Sequence, residues 1–383
     1  MHIAFLISEY PHEKVLHSAG IGTSTKNIVT ELVKKGVQVS LFIYGQQIET
    51  VFVENGVKIH LIPYKKKLFL TWFRYRKYLQ NYLNKSIDAD KIDLVEAPDW
   101  TGITAFMKLK APIVIRFHGS DAYFCYLEKR TQKLKNFWFE KLAILNATAF
   151  IAPTDFAGRT TKKIFKIQGK PITTMHYGLP LHEFYNAQHT QYEKGLLLYI
   201  GTVIRKKGVL ELPYILESVL SKCPEAHLVL IGSDSVDIQT NTNSTWELMQ
   251  RDASDFLKGK MEYVGKIPYA EVQDYIRKAN VCVFPTFAET LGMVTIESMA
   301  MRKPVVNSNI GWAPELIEDG VSGFLVDPKD HTLFADRIVT LLRDDNLCIT
   351  MGSAAREKTE LDFDIQQLAQ DNIAFYQSLI SKN

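Results

Sequence analysis

Short, nearly continuous apolar runs recur along the chain, each closed by glycine, proline or polar residues. In the first half they cover 2–8, 37–44, 57–62, 93–96, 112–117, 149–153 and 172–176. In the second half they cover 196–200, 227–231, 261–264, 281–284, 304–307 and 324–326. Runs this short, several of them apolar at successive positions as in 3–7, 196–200 and 281–284, predict strands buried on both faces of parallel sheets. Helical periodicity fills the gaps: a helix ending near Val33 and stopped by Gly36, with Thr23, Ser24 and Thr25 as cap candidates, then 133–146, a helix from Val209, 271–278 and about 365–380. The last shows its apolar side at Leu368, Ile373, Phe375, Tyr376 and Leu379. Strand and helix in alternation predict an α/β fold built of βαβ units. The polar stretch 182–194 reads as a linker between two such domains.

Composition narrows the classes. With 383 residues the chain exceeds one ordinary core and suits two domains. A net charge of +3 is too small for a dedicated nucleic-acid binder. Cys125, Cys223, Cys282 and Cys348 are scattered, which argues against structural disulfides and zinc sites and fits a reducing cytoplasm. The histidines show no metal-ligand spacing, so no metal is expected. No run approaches the roughly 18 apolar residues that span a bilayer, and the N-terminal apolar run is cut by Glu9, unlike a signal peptide. A cytoplasmic protein is expected. The segment 65–78 mixes lysine and arginine with aromatic residues. It suits peripheral contact with an anionic membrane face, binding of an anionic acceptor, or a solvated helix whose aromatic residues join the core.

Candidate chemistry concentrates in 284–300. The strand 281–284 ends at Pro285, a loop carries Glu289 and Gly292, and a helix follows. Strand, loop and helix N-terminus in that order make an anion site. Glu289 and Glu297 would face the same crevice, because helical side chains lean toward the N-terminus. Bare carboxylates repel phosphate, so the pair suits sugar hydroxyls flanking a diphosphate, as in a nucleotide sugar. The plainer alternative is that both only favour the helix dipole. After the strand 196–200 come Gly201, Arg205, Lys206, Lys207 and Gly208. Cations before a helix can balance a departing diphosphate, or can simply be exposed. Gly20 and Gly22 after the first strand let backbone approach a phosphate, or form a plain turn. His118 and Asp121 follow the strand 112–117, where open α/β sheets gather ligands, although a lone histidine is more often structural.

The stretch Phe284-Pro285-Thr286, Glu289-Thr290-Leu291-Gly292-Met293 and Glu297-Ser298-Met299-Ala300 resembles the signature of retaining glycosyltransferase family 4, glycosyl transferases group 1, of the GT-B fold. The resemblance implies two Rossmann-like domains facing across a cleft: residues 1–180 binding the acceptor and 181–361 binding the nucleotide sugar, with the helix of 362–383 crossing back to the first domain. It also implies metal-independent, retaining hexosyl transfer to a glycan or lipid-linked acceptor, in polysaccharide or glycoconjugate biosynthesis. The donor would be a UDP- or GDP-sugar, with no further cofactor. By resemblance Glu289 and His118 work at the donor sugar, with Asp121 beside His118. Glu297 holds the ribose. Arg205, Lys207 and the backbone amides of Leu291, Gly292 and Met293 balance the diphosphate. Gly20 and Gly22 approach it too, and Lys266 and Ile267 lie by the base. Two departures stand out: Thr202 occupies the usual arginine position, so Arg205 is its replacement, and Tyr177 stands where the family usually has Asn. A sugar-nucleotide 2-epimerase of the same architecture and a non-catalytic sugar-nucleotide binding protein are the alternatives.

Overall fold

The computed structural model describes residues 1–66 and 69–381. The chain divides into two compact units, Met1–Pro180 with Asp364–Asn383, and Leu181–Phe363.

The first unit runs β1 (His2–Ile7), α1 (Gly20–Lys34), β2 (Gln38–Gln46), β3 (Thr50–Glu54), β4 (Val57–Pro63), α2 (Thr71–Asp90), β5 (Leu94–Pro98), β6 (Ile113–Arg116), α3 (Asp121–Leu127), α4 (Leu134–Asn146), β7 (Ala149–Ala152), α5 (Asp155–Phe165) and β8 (Ile172–Thr174). Among the described residues its sheet has the order β3-β4-β2-β1-β5-β6-β7-β8, parallel except where β3 pairs with β4. Every residue of β1 is buried, which explains the absence of apolar–polar alternation in its sequence. One face of the sheet packs Phe5, Leu41 and Ile59 against Val29 and Leu32 of α1 and against the C-terminal helix Ile365–Ile380. The other face packs Phe42 and Val95 against Leu79 and Leu83 of α2.

A buried polar knot fixes the C-terminal helix within this unit. Arg116 donates from Nε and Nη2 to the Glu96 carboxylate at 2.7 and 3.1 Å and from Nη2 to Asn372 at 2.6 Å. The Tyr376 hydroxyl donates to Glu96 at 2.6 Å. Removing one member would strand the other charge in the core.

The second unit runs β9 (Leu196–Ile200), α6 (Leu212–Leu220), β10 (His227–Ile231), α7 (Thr245–Asp252), β11 (Met261–Gly265), α8 (Tyr269–Lys278), β12 (Val281–Phe284), α9 (Met293–Ala300), β13 (Val305–Ser308), α10 (Ala313–Leu316), β14 (Phe324–Val326), α11 (His331–Arg343) and α12 (Asp345–Asp362). Among the described residues its strands lie in the order β11-β10-β9-β12-β13-β14, all parallel. The boundary expected at 361 falls inside the last turn of α12, and the second unit continues through Phe363. The amide of Phe363 still bonds the Thr359 carbonyl.

Two local readings change. The strand β3 was not anticipated; Asn55 and Gly56, both at positive φ (49° and 78°), turn it into β4 as a two-residue hairpin. Helix α1 starts at Gly20 rather than at the threonine–serine cluster. The Glu9 carboxylate accepts the Gly22 amide at 2.9 Å, which supplies the partner that a capping hydroxyl would have given. Gly20 and Gly22 therefore lie in the first helical turn. A Cβ at Gly22 would stand 2.9 Å from Tyr10 Cα, whereas Gly20 has open space.

Candidate active site

In the second sheet β9 lies between β10 and β12, so the chain reverses its winding there. Ligand sites of open α/β sheets form at the carboxyl ends of strands beside such a reversal. The loop leaving β9 carries Arg205, Lys206 and Lys207 on a 3₁₀ turn; the loop leaving β12 carries Glu289. Backbone stitches the two together, because the amide of Phe287 donates to the Lys206 carbonyl at 2.9 Å. Gly208, at φ +70°, makes the approach possible: a Cβ there would meet the Pro285 carbonyl oxygen at 1.7 Å.

This juxtaposition puts Lys207 Nζ 2.6 Å from Glu289 Oε1, with each side chain about one-fifth exposed (20% and 21%). Arg205 is held differently. Its Nε and Nη2 each lie 2.8 Å from the two oxygens of Asp237, a bidentate pair in which Asp237 is buried. The guanidinium, helped by Thr240, brings the Asp237 carboxyl down to about 2. The structure thus brings Lys207 to Glu289 and commits the Arg205 charge to a carboxylate that sequence reasoning did not single out. Asp237 belongs to the polar segment between β10 and α7. An acid in that segment, set against the cations after β9, was the signal available.

Gly292, at φ +100°, caps α9. The amides of Met293 and Val294 open the helix, where amides have no carbonyl of their own helix to bond. Glu297 sits one turn in, is buried, and accepts a 2.7 Å hydrogen bond from the Tyr269 hydroxyl. Burial pushes its carboxyl up to about 7, against the pull of that hydroxyl. Tyr269 opens α8 directly after Lys266, Ile267 and Pro268, so this bond ties the loop leaving β11 to the glutamate of α9. Tyr269 was a second omission: a tyrosine at a helix start carries no distinctive sequence signal.

In the first unit His118 follows β6 with its amide on Asp99 Oδ1 at 2.8 Å. The Tyr177 hydroxyl lies 2.8 Å from both the Phe117 carbonyl and His118 Nδ1, and the two rings stack with centroids 5.2 Å apart. With the hydroxyl proton given to the carbonyl, Nδ1 donates to the tyrosine oxygen and Nε2 keeps its lone pair. Burial and the nearby Arg116 push the imidazole down to about 3. His118 is therefore neutral at ordinary pH and suits a hydroxyl rather than a developing negative charge. Tyr177 has become the residue that orients it. Ser24, Thr25, His176 and His118 share the lining of one small cavity. Asp99, buried beneath the same loop, has its carboxyl pushed up to about 7 by burial. Asp121 lies apart from His118's ring contacts, bonded to Asn136 and Arg130.

Of the basic, aromatic segment, Lys67 and Leu68 lie outside the described residues. Tyr75 is buried and Trp72 packs on Phe139, as the core alternative requires, while Phe69 and Leu70 are exposed. Among the described residues no helix is long and apolar enough to cross a membrane.

The family model of glycosyl transferases group 1 matches residues 183–358, and that of glycosyltransferase family 4 matches residues 18–183. The chain belongs to the group 1 glycosyltransferases. A capsular polysaccharide biosynthesis glycosyltransferase of Staphylococcus aureus, CapM, is 24% identical over 272 residues, covering 66% of this chain and 69% of its own. Sucrose-phosphate synthase from Thermosynechococcus elongatus superposes with a TM-score of 0.80 at 19% identity over 100% of both chains. The Anabaena protein HepE, solved in complex with UDP, gives 0.73 at 17% identity over 99% of this chain and 100% of that one. This group 1 glycosyltransferase thus has the GT-B fold, two Rossmann-like α/β domains with parallel sheets.

Proposed function

We propose that this glycosyltransferase transfers a hexosyl group, with retention, from a nucleoside-diphosphate sugar to a glycan or lipid-linked acceptor in polysaccharide or glycoconjugate assembly. The observation that carries the reading is the stitching of the Lys207 loop to the Glu289 loop at the reversal point of the second sheet. Lys207 gives up Glu289 on donor binding and takes the diphosphate, so that Glu289 is released to the hydroxyls of the donor sugar. The first amides of α9 lie at the same strand ends and add donors for the departing phosphate. Glu297 accepts from the ribose hydroxyls, and Tyr269 holds its carboxylate toward the loop of Lys266 and Ile267, beside the base. Arg205, its charge matched by Asp237, shapes the phosphate loop. These side chains supply charge, orientation and a preset geometry, the usual sources of catalysis when the leaving group is already good. Neutral His118 and Asp121 hold sugar hydroxyls.

UDP is the first nucleotide to try, since HepE was solved with it, and GDP the second. Contact with an anionic membrane belongs to the same proposal, because Phe69 and Leu70 are exposed beside Lys65 and Lys66. Liposome flotation that does not depend on anionic lipid removes that part. The main test is nucleotide release from a panel of UDP- and GDP-sugars, with and without acceptor glycans. Acceptor-dependent release with retained anomeric configuration supports the reading; release of epimerised sugar, or binding with no turnover on any pair, rejects it.

A further inference from the structure

The first unit holds a cavity of about 300 Å³ lined by Arg76, Trp100, Thr101, Asp121, Lys135, Asn136, Phe139 and Glu140. That volume lies at the small end of ligand pockets and suits one sugar ring rather than a nucleotide. Its walls are built. Arg76, buried in α2, donates to the carbonyls of Trp72, Thr101 and Gly102 and lies over the Phe139 ring, 4.5 Å from its centroid. Thr101 and Gly102 both hold positive φ (58° and 54°), and a Cβ at Gly102 would stand 2.3 Å from the Phe139 backbone. The turn after β5 is therefore clamped against α4, with Trp100 at its tip, 41% exposed.

The charges of this cavity are unbalanced. Arg76 makes no ion pair with any carboxylate among the described residues, and burial lowers its pKa. Lys135 lies over the rings of Trp72 and Phe139. Of the two acids, Asp121 is already met by Arg130 and Asn136. Glu140 accepts the amides of Asp121 and Ala122 that open α3, and burial pushes its carboxyl up to about 7. Two cations thus face a space whose carboxylates are engaged or partly protonated. An aromatic face beside cations and a polar amide recognises a pyranose that carries an anionic group: carbon–hydrogen faces pack on Trp100, hydroxyls bond Asn136 and Asp121, and the anion meets Lys135 within the field of Arg76, whose guanidinium stays on the carbonyls of the turn. The turn that forms the cavity begins at Asp99, which also holds the His118 amide, so the cavity adjoins the His118 site within the same unit.

We infer that this cavity is an acceptor subsite for a sugar residue bearing an anionic substituent, a uronic carboxylate or a sugar phosphate. The inference rests on the proposed transfer reaction and gives its acceptor a chemical class.

The test is ligand-observed NMR titration of the full chain with methyl glucuronide, glucose 6-phosphate and methyl glucoside, in low salt, with the nucleoside diphosphate saturating. Both anionic sugars should bind about tenfold tighter than the neutral one, the scale of one hydrogen bond to a charged group. The tighter of the two identifies the substituent. Lys135→Ala should remove the preference for charge, and Trp100→Ala should abolish binding of all three while leaving nucleotide affinity at the wild-type level, which certifies a folded variant. Equal affinities for charged and neutral sugars, no saturation by any of them, or binding that survives Trp100→Ala overturns the inference. Each of those results leaves the donor reading intact as long as the nucleotide still binds; loss of nucleotide binding with the sugar preference preserved would sink the donor reading alone.

Discussion

Replacing Lys207 by alanine removes the side chain that pairs with Glu289 from the neighbouring loop. The 3₁₀ turn itself should survive, since the Phe287–Lys206 backbone bond and Gly208 hold it without the lysine side chain. The stability cost is that of a partly exposed ion pair, about 1 kcal/mol. The catalytic cost is larger. A cation about 4 Å from a unit charge interacts by about 4 kcal/mol at the effective dielectric of a protein surface. Only the part that grows as the diphosphate departs affects the chemical step, and single oxyanion donors measured elsewhere contribute about 2.7–4 kcal/mol. Turnover should therefore fall about a hundredfold or more. The assay is release of nucleoside diphosphate under saturating donor and acceptor, with calorimetry to follow nucleotide affinity. Glu289, left without its lysine, would also repel the diphosphate, and Lys207→Ala combined with Glu289→Gln separates the two effects: affinity should recover, turnover should not. Turnover of Lys207→Ala within about threefold of wild type would refute the reasoning, being far below the loss of one such donor.

Glu297, pushed up to about 7 from an ordinary 4.5, binds a proton more readily folded than unfolded. Its contribution favours the fold below about 4.5 and is lost as pH rises through about 7, so Glu297→Gln should gain up to about 3 kcal/mol relative to wild type between pH 5 and 8, read from urea midpoints at both pH values. Because ribose hydroxyls need the ionised carboxylate, wild-type affinity for the nucleotide sugar should rise from pH 6 to 8, and calorimetry should show that dependence gone in Glu297→Gln. Tyr177→Phe should lower turnover about tenfold, the loss of one orienting hydrogen bond, with nucleotide affinity unchanged; unaltered turnover would remove its role in holding His118. Gly208→Ala should destabilise the chain by about 3 kcal/mol or abolish nucleotide binding, through left-handed strain and the clash with Pro285; wild-type denaturation and binding would show that the two loops need not meet.

The central strands were legible because both their faces are buried: the apolar runs 196–200, 228–231 and 281–284 lie within β9, β10 and β12, whereas β8 and β11 are only half-buried. β3 was not, since its residues are exposed or half-buried on an edge, and only the Asn55–Gly56 turn announces it. The start of α1 was misplaced for a related reason. A carboxylate distant in sequence, Glu9, does the work of a local cap. In the candidate site, Lys207 and Glu289 were brought to one ligand in the sequence only by the family resemblance; that their loops meet depends on the sheet order and on Gly208. The partners Asp237, Tyr269 and Tyr177 were not legible, because each acts through a contact across loops whose lengths and paths no local pattern encodes. Tyr177, read in the sequence as a departure from the family, bonds both His118 Nδ1 and the Phe117 carbonyl and so holds the imidazole ring in place.

The most direct test is a crystal structure of the chain with a bound nucleoside diphosphate. The account predicts Lys207 Nζ turned from Glu289 onto a phosphate oxygen, and the ribose hydroxyls on Glu297 with Tyr269 still attached. A diphosphate held elsewhere, with the Lys207–Glu289 pair intact and Glu297 untouched, would contradict it.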